Sequence, residues 1–147
     1  MLKQNNISYL ALFNDFDIFT RNNQFTNQMP DRRFFFVYKS EDTPYIGFLQ
    51  DIIKATKING DDYRIIELSE NVLLRLGVFF ENELCESIIF FGFTNEELGF
   101  PTNFRKYKPF LLREKSFIIA DSLSIIQPDK TLKSALWQSL KELFNIV

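Results

Sequence analysis

The chain has 147 residues, of which 18 are Phe and 46% are hydrophobic, with one Cys and no His. This is the length of one ordinary domain with ample core material. It excludes global disorder, an internal disulfide, and zinc or iron–sulfur centres, which need thiolate or imidazole ligands. Residues 1–100 carry 9 basic and 15 acidic groups, and residues 101–147 carry 8 and 4, so the net charge of −2 splits into −6 and +4 and predicts no global attraction to nucleic acid.

The opening MLKQNNISYL lacks the charged-then-apolar layout of a signal peptide, and the uninterrupted apolar runs are too short to cross a bilayer. A cytoplasmic protein is expected, with no membrane partner and no cofactor; only weak Mg²⁺ or Ca²⁺ binding by carboxylates stays open. A boundary near residues 28–31 separates a polar, Asn- and Gln-rich segment, residues 1–28, from an α/β domain, residues 29–147. Within the first segment Tyr9, Leu10, Leu12, Phe13, Phe16, Ile18 and Phe19 form an apolar island between polar flanks, with a short helix over about residues 7–13. That island either packs on the protein's own sheet or orders on a partner. A helix this short is marginal alone in water and needs a surface to fold against.

From Arg33 strands alternate with helices. Phe34, Phe35, Phe36, Val37 and Tyr38 make a continuous apolar run, suited to a strand buried on both faces. Thr43 as cap and Pro44 at the first helical position start a helix carrying Ile46, Leu49, Ile52, Ile53 and Thr56, ended by Asn59-Gly60-Asp61-Asp62. Residues 63–68 read as a second strand, and Ser69 as the cap of a helix with Val72, Leu73, Leu76 and Phe79 or Phe80. Residues 87–92 form another buried strand, with a loop over residues 95–101. The spacing favours a parallel sheet with right-handed crossovers. Residues 110–112 and 116–120, joined by Arg113-Glu114-Lys115, form a hairpin. The last helix is capped by Asp129 or Thr131 and carries a stripe of Leu132, Leu136, Leu140, Leu143 and Val147, with Trp137 and Phe144 on one flank.

This order, with Val37-Tyr38 before an extended loop, residues 64–67, the closing hairpin, and Lys133 followed by Ala135-Leu136-Trp137-Gln138, resembles the psi subunit of the bacterial DNA polymerase III holoenzyme. The resemblance runs from about Ser8 to Phe144. It implies a three-layer α/β/α fold with a mainly parallel central sheet of four or five strands, like that of uracil-DNA glycosylases, and no enzymatic activity. It also implies an N-terminal peptide that docks on clamp-loader subunits, here through Tyr9, Leu10, Leu12, Phe13, Ile18 and Phe19, and a domain that binds a chi-like partner. The chain departs from the family in having Phe19 and no Trp in that peptide.

Three groups of residues compete as sites in the domain. Asp42 and Asp121 follow strands and belong at the carboxyl edge of the sheet, where α/β ligands bind. A glycosylase of the related fold also uses a histidine after the last strand, and none exists here, so loop capping and solvation are the expected roles of both aspartates. Arg105, Lys106, Lys108, Arg113 and Lys115 interleave with Phe104, Tyr107 and Phe110, a composition able to contact single-stranded DNA or an acidic partner; a solvated sheet edge is the commoner use. Direct nucleic-acid binding is therefore expected to be weak or absent. Cys85 has no histidine to activate it and is expected to pack in the core. The loop Lys39-Ser40-Glu41-Asp42-Thr43 has no glycine and disfavours phosphate binding. The alternatives are a degenerate or unusual nucleobase glycosylase using Asp42, and a small α/β interaction domain of other function.

Overall fold

The structure, a computed structural model, describes residues 31–69 and 76–146. The island from Tyr9 to Phe19 lies outside the described residues, as do Ser69's neighbours Val72 and Leu73. Five strands form one sheet: β1 (Phe34–Lys39), β2 (Tyr63–Leu68), β3 (Ser87–Phe91), β4 (Phe110–Leu112) and β5 (Lys115–Ala120). Their order is β2-β1-β3-β5-β4, with every pairing parallel except the β4–β5 hairpin. The chain is thus an α/β protein with a mostly parallel, mixed sheet flanked by helices.

The two strands read as buried runs take the inner positions. All of residues 34–38 in β1 and all of β3 are buried, because both faces of an inner parallel strand are covered. Alternation sorts their side chains. Phe35, Val37, Ile88, Phe90, Phe117 and Ile119 point to one face, and Phe34, Phe36, Tyr38, Ile89, Phe91 and Ile118 to the other. The second face is covered by α1 (Ile46–Thr56) through Leu49 and Ile53, by α4 (Leu123–Ile126), and by α5 (Lys130–Phe144) through Leu136 and Leu140. The first is covered by two one-turn helices, α2 (Gly77–Phe80) and α3 (Asn95–Leu98), and by the long connection to β4.

Local differences from the sequence reading have identifiable causes. The segment Ser40–Tyr45 is a 3-10 helix with Pro44 inside it, so α1 starts at Ile46. Thr43 does not cap α1; its Oγ1 donates to the Ser40 carbonyl at 2.7 Å. The loop at residues 95–101 contains α3, fixed by a complete capping box between Thr94 and Glu97. Asp129, and not Thr131, caps α5, accepting from the Thr131 and Leu132 N–H groups. The β4–β5 turn has two residues and not three: Lys115 pairs with Leu112 as the first residue of β5, and Arg113 and Glu114 take φ 51° and 69°, left-handed values that side-chain-bearing residues adopt at a cost.

At the amino edge of the sheet, Arg33 ties three segments together. Its N–H donates to the Asp62 carbonyl, its own carbonyl accepts from Glu86 and Ser87, and its guanidinium pairs with Glu86 at 2.8 Å and Asp62 at 3.4 Å. No helix among the described residues is long and apolar enough to cross a membrane.

Candidate functional site

In an open parallel sheet, ligands bind where the strand order reverses, at the carboxyl ends of the two strands that lead off in opposite directions. Here β1 leads outward through α1 to β2, while β3 leads the other way towards β5. The candidate site is therefore built from the segments that follow β1, β3 and β5, and these carry Asp42, Gly92 to Glu97, and Asp121.

Asp42 sits in the 3-10 turn after β1 and is 3% exposed. Its Oδ2 accepts from the Leu123 N–H at 2.8 Å, satisfying the first backbone donor of α4 across 81 positions of sequence. The carboxylate acts as a cap for a remote helix, which agrees with the expected capping role and replaces the expected solvation.

Asp121 follows β5 and has both oxygens engaged. Oδ1 accepts from Lys106 Nζ at 2.6 Å and Oδ2 from the Tyr107 hydroxyl at 2.6 Å, while the Asp121 N–H donates to the Tyr107 oxygen at 3.2 Å. Burial opposes ionisation of Asp121, but the hydrogen bonds from Lys106 and Tyr107 outweigh it, and its pKa falls below the ordinary carboxylate value. The Tyr107 phenol moves up, first from burial and then from its bond to the carboxylate. Tyr107 holds φ 61° and its N–H donates to Ile119, so this strained residue is fixed from both backbone and ring.

The segment after β3 closes the remaining space. Gly92 has φ 83°, and a Cβ there would stand 3.1 Å from the Ser122 Cβ, so glycine permits the exits of β3 and β5 to touch. Phe93 is 6% exposed, and Lys39 Nζ lies 5.0 Å from its ring centre while pairing with Glu97 at 2.8 Å. Burial would raise the Glu97 pKa, but the Lys39 bond and the Thr94 N–H bring it below the ordinary value. Tyr38 donates to Glu67 at 2.9 Å, and burial together with that bond pushes its phenol to about 12. The ionisable groups singled out at this edge are thus paired with one another or with the backbone.

The five basic residues are not used alike. Arg105 is exposed, Lys106 holds Asp121, and Lys108 reaches Glu142 at 3.5 Å. Arg113 lies over the Phe80 ring at 5.0 Å. Lys115 is turned inward at 9% exposure, its ammonium donating to the carbonyls of Asn82 at 3.0 Å and Cys85 at 2.7 Å. Alternation explains this placement: Lys115 shares its face of β5 with Phe117 and Ile119. The interleaved rings are occupied as well. Phe104 and Phe110 stack on each other at 3.6 Å and 2°, and the Tyr107 hydroxyl is bound to Asp121.

Cys85 is 3% exposed, and burial pushes its thiol to about 12, against the smaller opposing effect of Lys115; at neutral pH it is a packed thiol. Among the described residues, no group of three or more Cys, Asp or Glu side chains is placed to hold a metal ion. Lys39, Glu97 and Leu123 were not among the sequence candidates. The Thr94-x-x-Glu97 capping box was a readable signal for one of them, whereas the Asp42–Leu123 bond left none. No protein-family model matches the chain, and no curated protein matches it.

Proposed function

We propose that this chain is a non-enzymatic accessory subunit of the DNA polymerase III holoenzyme, psi-like, bridging the clamp loader to a further partner in DNA replication. Its sheet and flanking helices are then the three-layer, uracil-DNA-glycosylase-like domain of that family, and residues 1–28 are the docking peptide. The observation that supports this reading is the state of the two edge carboxylates. Asp42 is consumed as a helix cap and Asp121 as a partner of Lys106 and Tyr107, in a chain that has no histidine. A fold whose ligand edge is filled by its own side chains is suited to present outer surfaces and a terminal peptide.

The test is a pull-down of the full chain against purified clamp-loader subunits, repeated after deletion of residues 1–28. The full chain is expected to be retained and the truncated one lost; equal retention would overturn the docking role. Tyr9→Ala and Phe13→Ala are each expected to weaken binding by about 1–3 kcal/mol, as aromatic anchors do, measured by titration calorimetry. Release of uracil from single-stranded DNA that is abolished by Asp42→Asn would establish the glycosylase alternative instead.

A further inference from the structure

We propose that Asn59 is a site of spontaneous deamidation that converts the turn before β2 to an aspartyl and isoaspartyl mixture. Asn59-Gly60 is the only Asn-Gly step in the chain, and both residues are exposed. The fold does not require glycine at this position. Gly60 is not among the residues with positive φ, and a Cβ built on it would meet nothing within 4 Å. What Gly60 supplies is a backbone nitrogen that no side chain of its own shields; at ψ 138° Asn59 must first turn about its Cα–C bond to bring that nitrogen to Cγ.

The turn also polarises that amide. Asn59 Oδ1 accepts from the Asp61 N–H at 2.9 Å, so a donor already faces the oxygen on which negative charge develops when Cγ is attacked. The Gly60 nitrogen gives its proton to water and bonds to Asn59 Cγ. The bond from Cγ to Nδ2 then breaks, and ammonia leaves with a proton from solvent. Water opens the resulting succinimide at either carbonyl, giving Asp or isoaspartate without oxidant or reductant. The isoaspartyl product inserts a methylene into the main chain at a structurally connected point. The Asn59 carbonyl accepts from Asp62, the Asp62 carbonyl accepts from Arg33, and the Arg33 guanidinium pairs with Asp62 and Glu86. Lengthening the backbone at residue 59 therefore strains the linkage between the starts of β1, β2 and β3.

The test is incubation of the folded full chain in mildly alkaline buffer, followed by peptide mapping and labelling with an isoaspartyl methyltransferase, beside a urea-unfolded control and the Gly60→Ala variant. The expected result is accumulation of the deamidated mass at Asn59 in the folded chain, with isoaspartate as the main product. Gly60→Ala should slow this severalfold with its circular dichroism unchanged. An Asn59 that stays an amide in the folded chain while the unfolded control reacts would overturn the proposal, as would an equal rate in Gly60→Ala.

Discussion

The two faces of the sheet are covered by different means. On one, α1 and α5 supply 11 and 15 residues of helix, and Leu49, Ile53, Leu136 and Leu140 fill the space beneath them. On the other, the described helices are four residues long, and the volume is filled by rings. Phe79 and Phe117 each contact Phe90, Phe93 and Phe100 join them, and Phe100, Phe104 and Phe110 continue the set to the hairpin. Where the described cover consists of single helical turns and connections, Phe fills the depth with the most apolar volume and no polar atom to satisfy. This accounts for much of the chain's unusual Phe content.

If ring contacts hold one face and aliphatic packing the other, Phe90→Ala is the largest break. Phe90 is fully buried with four ring neighbours, and its loss is expected to cost about 3–5 kcal/mol in urea unfolding. Leu140→Ala, equally buried on the helical face, should cost about 2–5 kcal/mol and fall below Phe90→Ala; the reverse order would remove the distinction. Asp42→Ala tests the polar element of the helical face: leaving the Leu123 N–H without its acceptor should cost about 1–3 kcal/mol, and Asp42→Asn, which keeps an acceptor, less. Glu114→Gly, in the hairpin outside both cores, should stabilise by about 1 kcal/mol by relieving a left-handed backbone.

The smallest effect is in pH dependence. Asp121 has a lowered folded pKa, so its contribution is complete above the unfolded value, about 3.9, and is lost as pH falls through the folded one. Tyr38 and Tyr107 have raised pKa values, so theirs is complete below about 10 and lost as pH rises beyond it. Tyr107→Phe should flatten both limbs of a stability–pH profile recorded by denaturant melts. An unchanged profile would mean that the Asp121 cluster does not couple to folding.

The fold was legible where the signal is local. The apolar runs of β1 and β3, the helical stripe of α5, and the hairpin are stated directly by spacing, and burial on both faces followed from the unbroken runs. Two further signals were present but outweighed by bulk composition: the Thr94–Glu97 box, and the phase of Lys115 with Phe117 and Ile119. The site was less legible because its decisive contacts join distant residues. That Asp42 would cap α4 depends on how the turn after β1 meets the start of α4, which no window of sequence contains. Tyr107 likewise read as one aromatic among basic residues, and only the path of the connection beside β5 brings it to Asp121.

The inward-turned Lys115 also bears on the order in which the molecule is assembled. Its two bonds reach back 33 and 30 positions, from the first residue of β5 to the turn that leads into β3. During synthesis that turn emerges well before the lysine, so the Cys85 carbonyl must wait for β5 to supply its cationic donor. The inner strand β3 therefore starts from a turn completed only by the last third of the chain. A product truncated before residue 115 would lack both the neighbouring strand and this internal tie.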